Sequence, residues 1–248
     1  MSDRIFLAGA TGVVGRRLVP LLVNAGYEVH GTTRSREKAH ELTALGAKPW
    51  IVNVFDAGRL AAVLQVIRPS AVVHQLTDLP ARLAPANMAE AIVRNAYVRT
   101  AGTRNLVAAA LSADCHYMVA QSIAWAYAPG AKPYDETQDL DLEAEGDRAV
   151  TVRGVEALET AVLSTPGMRG AVLRYGHLYG PGTGHSVPQG PTPLHVDAAA
   201  SAALLVLRKR AEGPYNLSER SDTVSVTRAV GLGWFPAAPE RPTNENLA

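Results

Sequence analysis

Three glycines at intervals of three, in the run Gly9-Ala10-Thr11-Gly12-Val13-Val14-Gly15, are the residues of this chain with the clearest chemical meaning. They stand between an apolar stretch, Ile5 to Ala8, and an amphipathic one, Arg16 to Val23. Backbone N–H groups at a helix start placed this way can face a diphosphate, so a dinucleotide is the expected guest. Gly9 permits the tight turn, Gly12 removes a side chain that would block the phosphates, and Gly15 lets the helix pack closely on the strand. Thr11, Val13 and Val14 complete the loop and the first helical turn. A site that selects NAD usually ends its second strand with Asp or Glu, which accepts from the ribose 2′-hydroxyl and repels a 2′-phosphate. Here that strand, Glu28 to Thr33, runs into Arg34-Ser35-Arg36 instead. Arg34 can pair with a 2′-phosphate and Ser35 can add a hydroxyl donor, which favours NADP over NAD.

The elements that must carry these residues alternate. The pattern predicts a helix from Arg36 to Leu45 with Ser35 as N-cap, a strand over Trp50 to Val54, and a helix over Ala57 to Ile67 capped by Asp56. A strand over Ala71 to His74, one long helix over Ala89 to Leu111 and a strand over His116 to Ala120 follow. Residues 128–147 read as an exposed loop, Val150 to Leu163 as a helix and Ala171 to Tyr175 as a strand. The Gly/Pro-dense run from Tyr179 to Pro193 reads as a loop over the ligand, Leu194 to Arg210 as a helix and Pro214 to Leu217 as a short strand. Such alternation requires crossovers, and the expected fold is α/β, a doubly wound parallel sheet of the Rossmann type with a reduced C-terminal substrate lobe. Three regions are expected: 1–175 as the nucleotide-binding domain, 176–234 as the lobe interleaved with the last sheet elements, and 235–248 as a flexible tail.

With 248 residues, 47% of them apolar and 19% charged, the chain has the composition of an ordinary globule with one α/β core. A net charge of +1 gives no reason to expect nucleic acid or an anionic membrane as partner. The lone Cys115 cannot form an internal disulfide, and the Met1-Ser2-Asp3-Arg4 start carries no apolar targeting run, so a cytoplasmic location is expected. The apolar runs are too short to span a bilayer. No metal-ligand spacing is present, and a small-molecule substrate is expected. A second copy of the chain is the one protein partner this reading leaves open.

The chain resembles the extended and atypical short-chain dehydrogenase/reductases, in particular the NAD(P)-dependent epimerase/dehydratase group. The resemblance rests on Gly9 to Gly15, Val72-Val73-His74-Gln75-Leu76, Gly102-Thr103-Arg104-Asn105-Leu106, Leu173-Arg174-Tyr175, Tyr179-Gly180-Pro181-Gly182, His195-Val196-Asp197 and Tyr215-Asn216-Leu217. It implies that Asn53 and Val54 meet the adenine and that Leu76 and Thr77 meet the cofactor beyond the fourth strand. Family hydride transfer uses a Tyr-x-x-x-Lys pair one helical turn apart. None of the eight tyrosines here has a lysine four residues later. The resemblance puts Thr151 at the tyrosine position, Val155 at the lysine position, Ile123 at the usual catalytic hydroxyl and Arg99 where the family often has asparagine.

Replacement groups are therefore sought among Ser122, Tyr127 and His177, the last lying where the fold gathers substrate ligands, with Tyr175 supporting the cofactor wall. The reading that follows is an atypical NADP-dependent oxidoreductase or epimerase acting on a small carbonyl or sugar-derived substrate. A non-catalytic NADP-binding sensor is the alternative, and a redox-neutral lyase or isomerase a third.

Overall fold

The computed structural model describes residues 3–79, 88–219 and 221–236. In order they form β1 (Arg4–Ala8), α1 (Val13–Asn24), β2 (Glu28–Thr33), α2 (Arg36–Ala44), β3 (Lys48–Ile51), α3 (Ala57–Ile67), β4 (Ala71–His74), α4 (Met88–Tyr97), α5 (Thr103–Ser112) and β5 (Tyr117–Ile123). They continue with α6 (Gly146–Leu163), β6 (Arg169–Tyr175), β7 (His177–Tyr179), β8 (Pro193–His195), α7 (Val196–Lys209), β9 (Gly213–Leu217) and α8 (Thr227–Leu232). Seven strands make one parallel sheet in the order β3-β2-β1-β4-β5-β6-β9, and β7 pairs with β8 in a separate two-stranded sheet. The doubly wound architecture is as expected, with the order reversing between β1 and β4. Residues 237–248, most of the expected tail, lie outside the described residues.

Alternation along the buried strands feeds a core on each face. Ile5 and Leu7 of β1 turn to one side, where Leu18 and Leu22 of α1 and Ala203 and Val206 of α7 cover them. Phe6 and Ala8 turn to the other, against Leu60 and Leu64 of α3 and Leu106 of α5. Several boundaries differ from those predicted. β3 begins at Lys48 and includes Pro49, which an edge strand tolerates because one side of its backbone has no ladder partner. β5 runs on to Ile123, so Ser122 lies inside the sheet. The expected single helix over residues 89–111 is divided by a π-helical turn, Val98–Gly102, between α4 and α5. No helix among the described residues is long and apolar enough to cross a membrane.

One polar network crosses the carboxyl-terminal side of the sheet. Ser122 of β5, Arg174 of β6 and Asn216 of β9 are consecutive neighbours in register. Glu159 of α6 meets them from above: its Oε1 accepts from Ser122 Oγ at 2.8 Å and Arg174 Nε at 3.0 Å, and its Oε2 accepts from Arg174 Nη2 at 2.6 Å. Arg174 Nη1 donates to the Tyr127 hydroxyl at 2.9 Å, which itself donates to Asn216 Oδ1 at 2.6 Å. The Asn216 backbone N–H donates to Glu136 in the loop before α6 at 2.8 Å. A saturated, bidentate pair of this kind can hold two charges in a dry interior, whereas removing one partner costs about 3–5 kcal/mol.

Two expectations follow for stability. A methyl group at Gly15 would fall onto the Gly9 carbonyl oxygen, whereas one at the exposed Gly231 of α8 meets nothing within 4 Å. Gly15→Ala should therefore lower unfolding free energy by about 1–3 kcal/mol in denaturant titration, and Gly231→Ala should leave it unchanged or raise it by about 0.5–1 kcal/mol. At the end of β4, the enclosed His74 accepts the Leu76 N–H through Nδ1 at 3.2 Å, so its neutral ring donates from Nε2 to Thr103 Oγ1 at 3.0 Å. Burial, helped by the charge of Arg99, holds its pKa down to about 4 from an ordinary 6.5. Unfolded chains take up this proton first as pH falls, so stability present above pH 6.5 is lost between 6.5 and 4 and levels off below. The loss is about 3 kcal/mol, and His74→Gln should remove most of that slope; an unchanged slope would refute the assignment.

Candidate functional site

A cleft of about 1790 Å³ runs along the carboxyl ends of the strands across the β1/β4 reversal. Its inner turn is the glycine loop. Gly9 has φ +85°, and a Cβ there would stand 2.5 Å from the Gln75 carbonyl oxygen, so only glycine fits between β1 and β4. Gly12 is the extended N-cap of α1, which has no side-chain cap and no acidic residue in its first turn. The positive end of α1 therefore opens on the cleft beside Thr11, Gly12, Val13 and Val14. Gly15 lies behind, against the backbone of Gly9 and Ala10, as its expected packing role requires.

The rest of the expected cofactor wall divides into groups that face the cleft and one that does not. Arg34 borders it on an exposed rim after Thr33, and Lys38 of α2 stands on the same rim. Ser35 does not border the cleft: its Oγ accepts from the Lys38 backbone N–H at 3.3 Å and caps α2, a bond that does not use the hydroxyl proton expected on a phosphate. Asn53 Oδ1 accepts from the Phe55 N–H at 3.1 Å, which fixes the side chain in a turn at the cleft edge. Val54 packs toward Gly102 of the π turn, and its carbonyl accepts from Asn105 Nδ2 at 3.0 Å. Leu76 and Thr77 line the wall after β4, and the enclosed Tyr175 backs it, its hydroxyl donating weakly to the Ala199 carbonyl at 3.4 Å. The buried side-chain amide of Gln75, also on the cleft, has neither donor nor acceptor satisfied among the described residues. An open helix start, a cationic rim and an orphaned amide fit a phosphate-bearing dinucleotide.

The three expected catalytic groups separate. Ser122 is fully buried at the cleft floor and its hydroxyl donates a hydrogen bond to Glu159, so that donor is committed inside the protein. Tyr127 corrects the expectation: its hydroxyl is bound between Arg174 and Asn216, its ring stacks on Tyr134, and it does not border the cleft. Its backbone pairs with Leu140 in an isolated antiparallel bridge. His177 of β7 is half-buried on the cleft, with Nδ1 2.9 Å from Thr192 Oγ1 and its ring stacked on Trp125 at 6.0 Å. Burial pushes its pKa below the ordinary value, which keeps the ring neutral at pH 7. On α6, Thr151 borders the cleft, while Val155 is buried with Ile123, Ala126 and Val152. Among the described residues there is no cluster of His, Cys, Asp and Glu able to hold a metal ion.

Three groups escaped the sequence reading, and a fourth, Arg99, was read there only as standing where the family often has asparagine. Lys38 follows Arg34 by four residues, a spacing that could have drawn attention to it. Gln75 and Trp125 carried no signal beyond their strand ends. Arg99 sits buried on the cleft wall in the π turn, between the buried polar Asn95 and Thr103 four residues to either side.

Residues 5–210 match the NAD dependent epimerase/dehydratase family. A 3-diazoavenalumate denitrifying reductase from Streptomyces sp is 37% identical over 237 residues, covering 87% of this chain and 76% of that protein. The backbone is similar to the UDP-glucose 4-epimerase of Thermotoga maritima solved with UDP-glucose (TM-score 0.75, 17% identity, 94% of this chain and 93% of that one). It is also similar to the UDP-glucose 4-epimerase of Thermus thermophilus in complex with NAD (TM-score 0.75, 19% identity, 94% of each chain). At such identity the two solved structures bear on the fold alone. The family match takes in most of the chain, and by it the chain belongs to the NAD dependent epimerase/dehydratase family.

Proposed function

We propose that this protein is an NADP-dependent reductase of a small organic substrate whose reduction needs no proton from a Tyr/Lys pair. The observation that carries the reading is the α6 face, where Thr151 meets the cleft and Val155 is sealed in an aliphatic cluster. Neither side chain can lower a phenol pKa or relay a proton as the absent pair would. When bound, the nicotinamide supplies reducing equivalents as a hydride. The glycine loop and the start of α1 bind the diphosphate through backbone N–H groups. Arg34 and Lys38 pair with a 2′-phosphate, and no carboxylate at the end of β2 opposes it. Trp125 and His177 form a flat wall for the substrate.

A ketone carbonyl needs a proton delivered to its oxygen, whereas an arenediazonium carbon that accepts a hydride expels N2 and needs none. The likeness to a denitrifying reductase supports the second type of acceptor. The expected outcome is NADPH oxidation with an arenediazonium at a rate independent of pH between 6 and 8, and at least about 100-fold slower turnover of ketones and aldehydes. Comparable carbonyl turnover with a pH-dependent limb that His177→Asn abolishes would overturn this reading. Tight NADPH binding with no turnover of any acceptor would favour the non-catalytic sensor.

Cofactor choice is tested separately by fluorescence titration. Replacing Arg34 and Lys38 together with glutamine should weaken NADPH binding about 30-fold, because two charge-assisted contacts of about 1 kcal/mol each are lost. NADH binding should change by less than about threefold, since NADH carries no 2′-phosphate. Equal affinity of the unaltered protein for NADH and NADPH would rule out the assignment.

A further inference from the structure

Arg99 is 6% exposed and borders the cleft. Among the described residues no carboxylate lies within ion-pair distance of it, and no side chain or carbonyl accepts its hydrogen bonds. Glu159, the acid whose charge acts on it, has both oxygens taken by Arg174 and Ser122. Among the described residues only the Gln75 amide is both sealed and unsatisfied, so the Arg99 stem is buried while its guanidinium opens on the cleft without a protein partner, where an anion could pair with it. Its position is also built. Gly154 of α6 lets that helix come close: a Cβ there would stand 3.1 Å from Ala96 Cα and 3.5 Å from Arg99 Cδ, so the Arg99 stem is clamped between helices. The π turn that carries Arg99 is a local departure from helical register of the kind that re-aims side chains at functional sites.

We propose that Arg99 is an anion subsite of the cleft and takes the carboxylate of a small aromatic or conjugated acid, held by two parallel N–H···O bonds. The planar fork of arginine matches a carboxylate, and the stacked Trp125 and His177 rings on the same cleft match a flat apolar body. Burial lowers the Arg99 pKa only to about 10, which leaves the group charged at neutral pH. The inference deepens the reductase reading and rests on it for the identity of the bound acid as substrate.

The test uses the full chain, with and without saturating NADP, and follows benzoate and benzamide by calorimetry for the unaltered protein, Arg99→Lys and Arg99→Gln. The unaltered protein should prefer benzoate by about tenfold or more, Arg99→Lys should keep part of that preference, and Arg99→Gln should lose it. NADPH affinity should stay within about threefold in all three proteins, which separates this site from the cofactor's own phosphates. The thermal midpoint of Arg99→Gln should be no lower than that of the unaltered protein, because an unpaired buried charge is removed. Equal binding of benzoate and benzamide, an undiminished preference in Arg99→Gln, a Tm loss above about 10 °C, or tenfold weaker NADPH binding in that variant would each overturn the proposal. A benzoate preference that stands in protein unable to bind NADPH would refute the reductase reading while keeping the subsite.

Discussion

The buried pair of Glu159 and Arg174 is the interaction on which the chemical end of this molecule depends. It joins α6 to the sheet at the level of Ser122 and Asn216, and through Tyr127 and Glu136 it anchors the loop before α6. Two charges in a dry interior are not stabilising by virtue of attraction alone, because desolvation offsets it. What makes this pair sustainable is saturation: each oxygen and the facing guanidinium nitrogens have partners at hydrogen-bond distance. The same saturation withholds Glu159 from Arg99. Two arginines and one glutamate thus leave an excess positive charge beside the cleft.

The two ends of the cleft are built from different materials. At the glycine loop the grip comes from backbone, with Gly9 fitting where no side chain could and α1 opening its uncapped start. At the other end the surroundings come from side chains of α6, β5, β7 and the π turn, which substitution can alter without disturbing the loop. Such a division explains how one fold keeps a nucleotide-shaped cleft while its reaction changes.

Much of the architecture was legible because it follows from period and punctuation. Alternating apolar residues with Ser35 and Asp56 at helix starts gave the order of strands and helices, and both caps are present. Pro49 hid the first half of β3, since proline argues against a strand unless its place at an edge is known. The π turn was invisible because one additional residue in a helix leaves the apolar pattern of residues 89–111 nearly intact. Of the proposed catalytic groups, Ser122 lies on the cleft and Tyr127 does not, and the bonding of both was out of reach of the sequence for the same reason. Their hydroxyls are claimed by Glu159, Arg174 and Asn216, partners 37, 47 and 89 residues away along the chain. Sequence spacing carries no record of such pairings.

Val155 narrows what its helix can accommodate. Enclosed with Ile123, Ala126 and Val152, it occupies the position that resembles the family lysine. Restoring a lysine there would strand an ammonium among aliphatic groups, where desolvation favours the neutral amine. A tyrosine at Thr151 would have only Arg148 one turn before it on the same cleft, a guanidinium already held by Asp141 and the Trp125 and Tyr127 carbonyls, so installing the pair requires both changes together with repacking of the small cluster. Each aliphatic contact around Val155 makes a charged side chain harder to accommodate there, so the packing of this small cluster limits the chemistry that α6 can carry.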